Sequence, residues 1–286
     1  AMQQIKQLVN EAASIKTIEK LEDISEQLSC FWHPIEALNS CCSTPELSSE
    51  YEKCLLILTR FQNELLHNKE LFKKIKSLET ETIESKEIKK IIENHLRDFK
   101  LAGVDLNDEE QEKFSQQQER LSILSHQFEE NLRLNRESFQ LKIKNLDELS
   151  GIPESTLALC GDKNNHVVLT LDLPIYISVM QYADNRELRK KMYHAYVTLA
   201  SELSEKKYNN ADVMTEILAL RRSQASLIGF DSYCDYSLAN KMAKNKQDVL
   251  DFLENLAKDV KSKGKNEFDT LQTFAKKLGC EHLETF

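Results

Sequence analysis

Residues 107–135, NDEEQEKFSQQQERLSILSHQFEENLRLN, decide the fold. Asn107 with Glu110 three positions on has the form of a capping box, in which each side chain satisfies a backbone N–H that the first helical turn leaves open. Phe114, Leu121, Leu124, Phe128, Leu132 and Asn135 then return on one face at helical spacing. The pattern predicts a single helix of about thirty residues, long enough to span the whole body.

The segments before it carry the same period. Thr44 reads as an N-cap with Pro45 at the first helical position, and Leu47, Tyr51, Cys54, Leu55, Leu58, Phe61 and Leu65 form one stripe. A second helix runs from Ser85 through Ile88, Ile91, Ile92, His95 and Phe99, and Gly103 stops it by tolerating the left-handed conformation. Beyond residue 135 the period changes. Phe139 to Lys144 alternates with period two, and Val167 to Leu171 is β-branched and bounded by Asn165 and Pro174, so the two are expected to pair as a small hairpin. Helical spacing then resumes: Asp184 or Asn185 caps a helix through Tyr196, another runs from Ala211 to Leu227 with Gly229 as its stop, and the last stretch is expected to form two more. The predicted class is all-α with one small β-hairpin insertion, without a Pro/Ser-rich linker or a fixed-period repeat.

Composition narrows the function. The 286 residues include only 6 Gly, no two closer than Gly151 and Gly161, which removes the phosphate-cradling loops that need glycines within about six residues. A formal net charge of −9 is the wrong sign for neutralising nucleic-acid phosphates. The local basic clusters at Lys73, Lys74 and Lys76, at Arg186, Arg189, Lys190 and Lys191, and at Lys258, Lys261, Lys263 and Lys265 sit among acids and read as solvated faces. No apolar run is long enough to span a membrane, and no secretory h-region opens the chain. Seven cysteines without a C-x-x-C spacing suggest neither a zinc ribbon nor a disulfide framework and fit a reducing cytoplasm.

The seven histidines are His33, His67, His95, His126, His166, His194 and His282. None opens an H-E-x-x-H motif, in which two imidazoles one turn apart hold zinc and the intervening Glu activates water. His126 with Glu129 and Glu130 is the nearest imitation, and it reads as a surface pair rather than half of a metal site. G-x-S-x-G is absent; Asp108, Glu109 and Glu110 suit the positive end of a helix dipole; Tyr176, Tyr182, Tyr193 and Tyr196 read as core rather than a ligand box. On these grounds the chain carries no catalytic and no metal-binding residue, and its substrate-binding residues are undetermined.

Longer motifs supply a resemblance. Residues 168–196, VLTLDLPIYISVMQYADNRELRKKMYHAY, together with Leu96 to Leu106, Thr44 to Tyr51, Ile217 to Arg221, Leu227 to Phe230 and Ser237 to Ala243, resemble in order the thimet oligopeptidase and neurolysin family of zinc metallopeptidases. Leu199 and the segment Asn135 to Phe139 depart from the family pattern. The resemblance implies a cytoplasmic zinc metalloendopeptidase whose two helical halves enclose a channel reached only by short unfolded peptides. The family's H-E-x-x-H and third ligand lie beyond the matched region, so this chain is expected to be inactive alone and to hold no zinc. Residues 1–184 would be the N-terminal helical wall and 185–286 the first helices of the peptidase region, with the missing C-terminal catalytic half as partner. Such a part is expected to expose apolar surface and to self-associate weakly. The competing reading is a free-standing helical peptide-binding or scaffold protein that lacks a catalytic half.

Overall fold

The computed structural model describes residues 2–80, 83, 85–161, 167–280, 283 and 285. Among them are twelve α-helices and one two-stranded sheet. The helices are α1 (Met2–Asn10), α2 (Ile15–Cys42), α3 (Pro45–Leu66), α4 (Lys69–Ser77), α5 (Lys86–Leu101), α6 (Asp108–Ser138), α7 (Glu154–Leu157), α8 (Leu173–Tyr182), α9 (Arg186–Val197), α10 (Ala211–Leu227), α11 (Tyr233–Leu238) and α12 (Lys246–Lys277). The strands β1 (Leu141–Ile143) and β2 (Val167–Leu169) lie between α6 and α8. The fold is all-α with a small β insertion.

Helix ends follow the local chemistry. Glu110 N–H donates to Asn107 Oδ1 at 2.9 Å and Asn107 N–H to Glu110 Oε2 at 3.2 Å, so the capping box is formed. Thr44, Ser85 and Asn185 each accept a backbone N–H of the first turn of α3, α5 and α9. Gly103 (φ 91°) and Gly229 (φ 88°) end α5 and α10 with the same paired bonds: Val104 N–H to Phe99 O beside Gly103 N–H to Lys100 O, and Phe230 N–H to Ala225 O beside Gly229 N–H to Ser226 O.

The chain forms two compact units, Ala1–His126 with Glu216–Lys246, and Gln127–Thr215 with Gln247–Phe286. In the first, α1, α2, α4 and α5 bury one cluster containing Leu8, Leu21, Leu71, Ile75, Ile92 and Phe99. Lys74 serves this cluster instead of solvating a surface. Its Nζ donates to Leu8 O (2.9 Å), Val9 O (2.7 Å) and Glu11 O, closing the carbonyl end of α1.

In the second unit the hairpin pairs antiparallel with Leu141 opposite Leu169 and Ile143 opposite Val167. It is shorter than the alternation predicts, because Phe139 N–H still bonds back to Arg136 O at the exit of α6, and Leu171 already leads into the Asp172 cap of α8. Asn165 lies outside the described residues. Ile143, Leu149, Leu169, Val179, Leu188 and Met192 form the core. Tyr176 and Tyr196 pack against that core with rings stacked 4.1 Å apart, while Tyr182 is exposed. Arg189 also leaves the solvated role assigned to its cluster: its Nη1 donates to Ala183 O at 2.5 Å and Asp184 O at 3.2 Å.

The C-terminal stretch differs from expectation. In place of two helices, α12 runs unbroken for 32 residues through Gly264. Gly264 has open space around it, so a glycine there costs about 1 kcal/mol of helix propensity and no packing.

Candidate functional site

The polar groups of the first unit converge where α3 lies along α6. Thr59 Oγ1 and Ser122 Oγ are 3.0 Å apart, and Arg60 pairs with Glu119 at 2.8 Å. A cavity of about 460 Å³ opens beside them, lined by Thr59, Asn63, Phe114, Gln118, Tyr233 and Asn240 among others. Ser232 caps the short α11 that supplies Tyr233 and Tyr236, and the Tyr236 hydroxyl donates to Leu101 O at 3.1 Å. Burial pushes the Tyr236 phenol above its ordinary pKa. Asn63 Nδ2 is a buried donor with no partner among the described residues. Amides, hydroxyls and aromatic rings around a recess of this size can bind peptide main chain and side chains.

A smaller groove of about 370 Å³ shares Asn63 and adds Arg60, Glu64, His67, Glu112 and Glu119. His67 Nε2 lies 2.8 Å from Ala102 O. A carbonyl only accepts, so Nε2 carries a proton, and Nδ1 lies 3.4 Å from Ser115 Oγ. Burial holds the His67 pKa below the usual 6.5; the Ala102 bond opposes this and Lys69 adds to it.

His126 corrects the surface reading of the sequence. It is buried, its Nε2 lies 3.1 Å from Ser48 Oγ, and its ring packs on Tyr51, which stacks on Trp32 at 4.8 Å. Ser48 is buried too, so this serine–histidine pair is shut off from substrate and joins α3 to α6. Glu130, read with His126, instead holds Arg133, which also binds Glu137.

The remaining histidines are dispersed. His95 Nε2 bonds Glu22 at 2.8 Å, His33 and His194 are exposed, and His166 and His282 lie outside the described residues. A catalytic zinc takes three protein ligands and an open position. Among the described residues no three His, Cys, Asp or Glu side chains are grouped to hold a metal ion, so these residues do not fit a zinc centre. None of the seven cysteines forms a disulfide among the described residues. No helix is long and apolar enough to cross a membrane among the described residues.

Comparison with known proteins defines the class. Residues 1–111 match the family model described as Neurolysin/Thimet oligopeptidase, N-terminal domain, and residues 179–286 match Peptidase family M3. The chain thus resembles oligopeptidases of peptidase family M3 in two stretches that follow one another in order. It is 38% identical to Oligopeptidase A of Haemophilus influenzae over 267 residues, covering 90% of this chain and 39% of that protein. Oligopeptidase A of Escherichia coli is 37% identical over 278 residues, 93% of this chain and 41% of the relative. Organellar oligopeptidase A of Arabidopsis thaliana is 30% identical over 285 residues, 94% and 36% respectively. The chain thus spans about two fifths of the length of these relatives.

Proposed function

We propose that this chain is the N-terminal part of a zinc metallo-oligopeptidase that hydrolyses short peptides in the cytoplasm. The observation that carries the reading is the order of the two family matches, the N-terminal domain at 1–111 and then the peptidase family at 179–286, in a chain about two fifths as long as its oligopeptidase relatives. Residues 1–184 form a helical wall of the peptide channel, and 185–286 are the first helices of the peptidase region. The remainder of the polypeptide would supply the ligands that hold zinc and the base that activates water.

The wall acts by exclusion and contact. Helices with packed cores do not part for a folded substrate, so only an extended peptide passes. The recess at Asn63, Gln118 and Tyr233 offers amide and ring contacts to its backbone and side chains. The test joins this chain to the portion of Escherichia coli Oligopeptidase A that it does not cover. The chimera is expected to cleave a fluorogenic nonapeptide in a chelator-sensitive reaction and to leave a folded protein intact. A folded, zinc-loaded chimera that cleaves neither, or degrades both equally fast, contradicts the proposal.

A further inference from the structure

Asn63 Nδ2, in the recess formed by α3, α6 and α11, is a buried donor with no acceptor among the described residues. Such a group weakens the fold, because it loses water and gains no bond in return. The hydroxyls around it are engaged: Thr59 donates to Leu55 O at 2.9 Å, Ser122 to Gln118 O at 3.1 Å and Tyr236 to Leu101 O at 3.1 Å. The amides are not. Gln118 and Asn240 make no side-chain hydrogen bond among the described residues, so with Asn63 three primary amides line one cavity. Its volume of about 460 Å³ lies within the range of ligand pockets. Phe114, 1% exposed, lines it too. Tyr233 is fixed at its side by an edge contact with Tyr236, ring centres 5.8 Å apart, and by the Arg221 guanidinium 5.1 Å from its own ring centre.

We infer that this recess binds an uncharged, internal segment of a peptide that carries an aromatic side chain. Asn63 Nδ2 donates to a main-chain carbonyl of the segment. The amides of Gln118 and Asn240 each offer a donor and an acceptor, which matches the peptide group in both directions. The aromatic side chain packs against Phe114 and Tyr233, where ring pairs gain more than their buried area alone supplies. Charge argues against a chain terminus or a phosphate as the occupant, since such anions are held by arginine forks or clustered cations. Lys241 is the single cation lining the recess among the described residues, and its Nζ donates to Ser237 Oγ at 2.6 Å. The acid on the lining, Asp98, is paired with Arg97 at 2.8 Å, which leaves no free carboxylate for an amino terminus. Asn63 thus fixes the position of the bound segment, at a cost in stability that packing alone does not explain.

This inference rests on the peptide-handling role proposed above, but its test reads binding by the 286-residue chain and not cleavage. The probe is the blocked peptide acetyl-Ala-Ala-Phe-Ala-Ala-amide, followed by the side-chain amide resonances of Asn63, Gln118 and Asn240. Saturable shifts of all three are expected, with a dissociation constant of about millimolar or below. Replacing the central Phe by Gly should weaken binding at least about tenfold, and freeing both termini should not strengthen it. Asn63→Leu keeps the branched frame without the donor, so it should weaken binding about tenfold while the thermal midpoint does not fall. Asn240→Ala, on an exposed residue, should weaken binding severalfold and serves as the second variant should Asn63→Leu fail to fold. Absence of saturable shifts up to about 10 mM overturns the inference, as does binding that both variants leave unchanged or that free termini strengthen tenfold. Binding by this chain beside a chimera that cleaves nothing overturns the proposed function alone; a chimera that cleaves, beside a chain that does not bind, overturns this inference alone.

Discussion

Asn131 on α6 donates from Nδ2 to Asn210 Oδ1 at 2.8 Å, and Asn210 is 1% exposed. Asn210 in turn donates from Nδ2 to Phe128 O at 3.0 Å, and its N–H bonds Ala200 O at 2.9 Å. Asn135, one helical turn further along α6, accepts the N–H of Ala200, which is left-handed at φ 50°. Two asparagines on one helix face therefore hold the loop between α9 and α10, and the buried amide does so with both of its ends.

Asn210→Ala removes both side-chain bonds and strands Asn131 Nδ2. The expected loss is about 1–3 kcal/mol of stability, read as a lower denaturant midpoint with unchanged slope. A loss below about 0.5 kcal/mol, the range of ordinary surface changes, would mean that the network is replaceable by water.

Lys74→Met keeps the aliphatic stem and removes the three bonds to the carbonyl end of α1. Amides of Met2–Asn10 should then exchange faster by a factor of about 10, corresponding to about 1.4 kcal/mol, with the amides of α5 little affected. Uniform acceleration throughout the unit would show instead that α1 unfolds only with the rest.

What the sequence made legible was local. The Asn107–Glu110 box, the Thr44, Ser85 and Asn185 caps and the glycine stops are all interactions within a few residues, and each formed. The roles of His126 and Lys74 were not legible, because their partners lie 78 residues away at Ser48 and 63 to 66 residues away in and just after α1. Nothing in a single sequence marks such a pairing. The two helices expected in the C-terminal stretch are one, because Gly264 does not turn left-handed and α12 continues through it. The cavity at Asn63 and Tyr233 combines side chains of α3, α6 and α11, so periodicity could not reveal it.

The two glycine settings separate cleanly by substitution. At Gly103 an alanine must adopt φ 91° with its Cβ 2.7 Å from Leu106 Cδ1, so Gly103→Ala should destabilise by about 1–3 kcal/mol. Gly264→Ala, in an open and helical position, should strengthen α12 by about 0.5–1 kcal/mol. Thermal unfolding of the pair checks the signs; a stabilising Gly103→Ala would refute the left-handed cap.

His67 gives the fold a pH dependence of definite sign. Its folded pKa lies below the ordinary 6.5, so the neutral ring is favoured in the native state. The associated stability is complete above that ordinary value and is lost as pH falls toward the lowered folded value. From about pH 7 to about pH 5 the native chain should lose more stability than His67→Gln, whose amide still donates to Ala102 O but does not titrate. Superimposable pH profiles would show that His67 is not held neutral.

The central claim, that this chain contributes a channel wall while the zinc chemistry belongs to the rest of the polypeptide, is tested most directly by a peptidase assay on the chain alone. The measurement is cleavage of a fluorogenic nonapeptide with added zinc, with and without chelator, beside Escherichia coli Oligopeptidase A as the reference. The account predicts no chelator-sensitive turnover by this chain and no zinc retained after desalting. Chelator-sensitive cleavage at a rate near that of the reference enzyme would contradict it and place a complete metal site within these 286 residues.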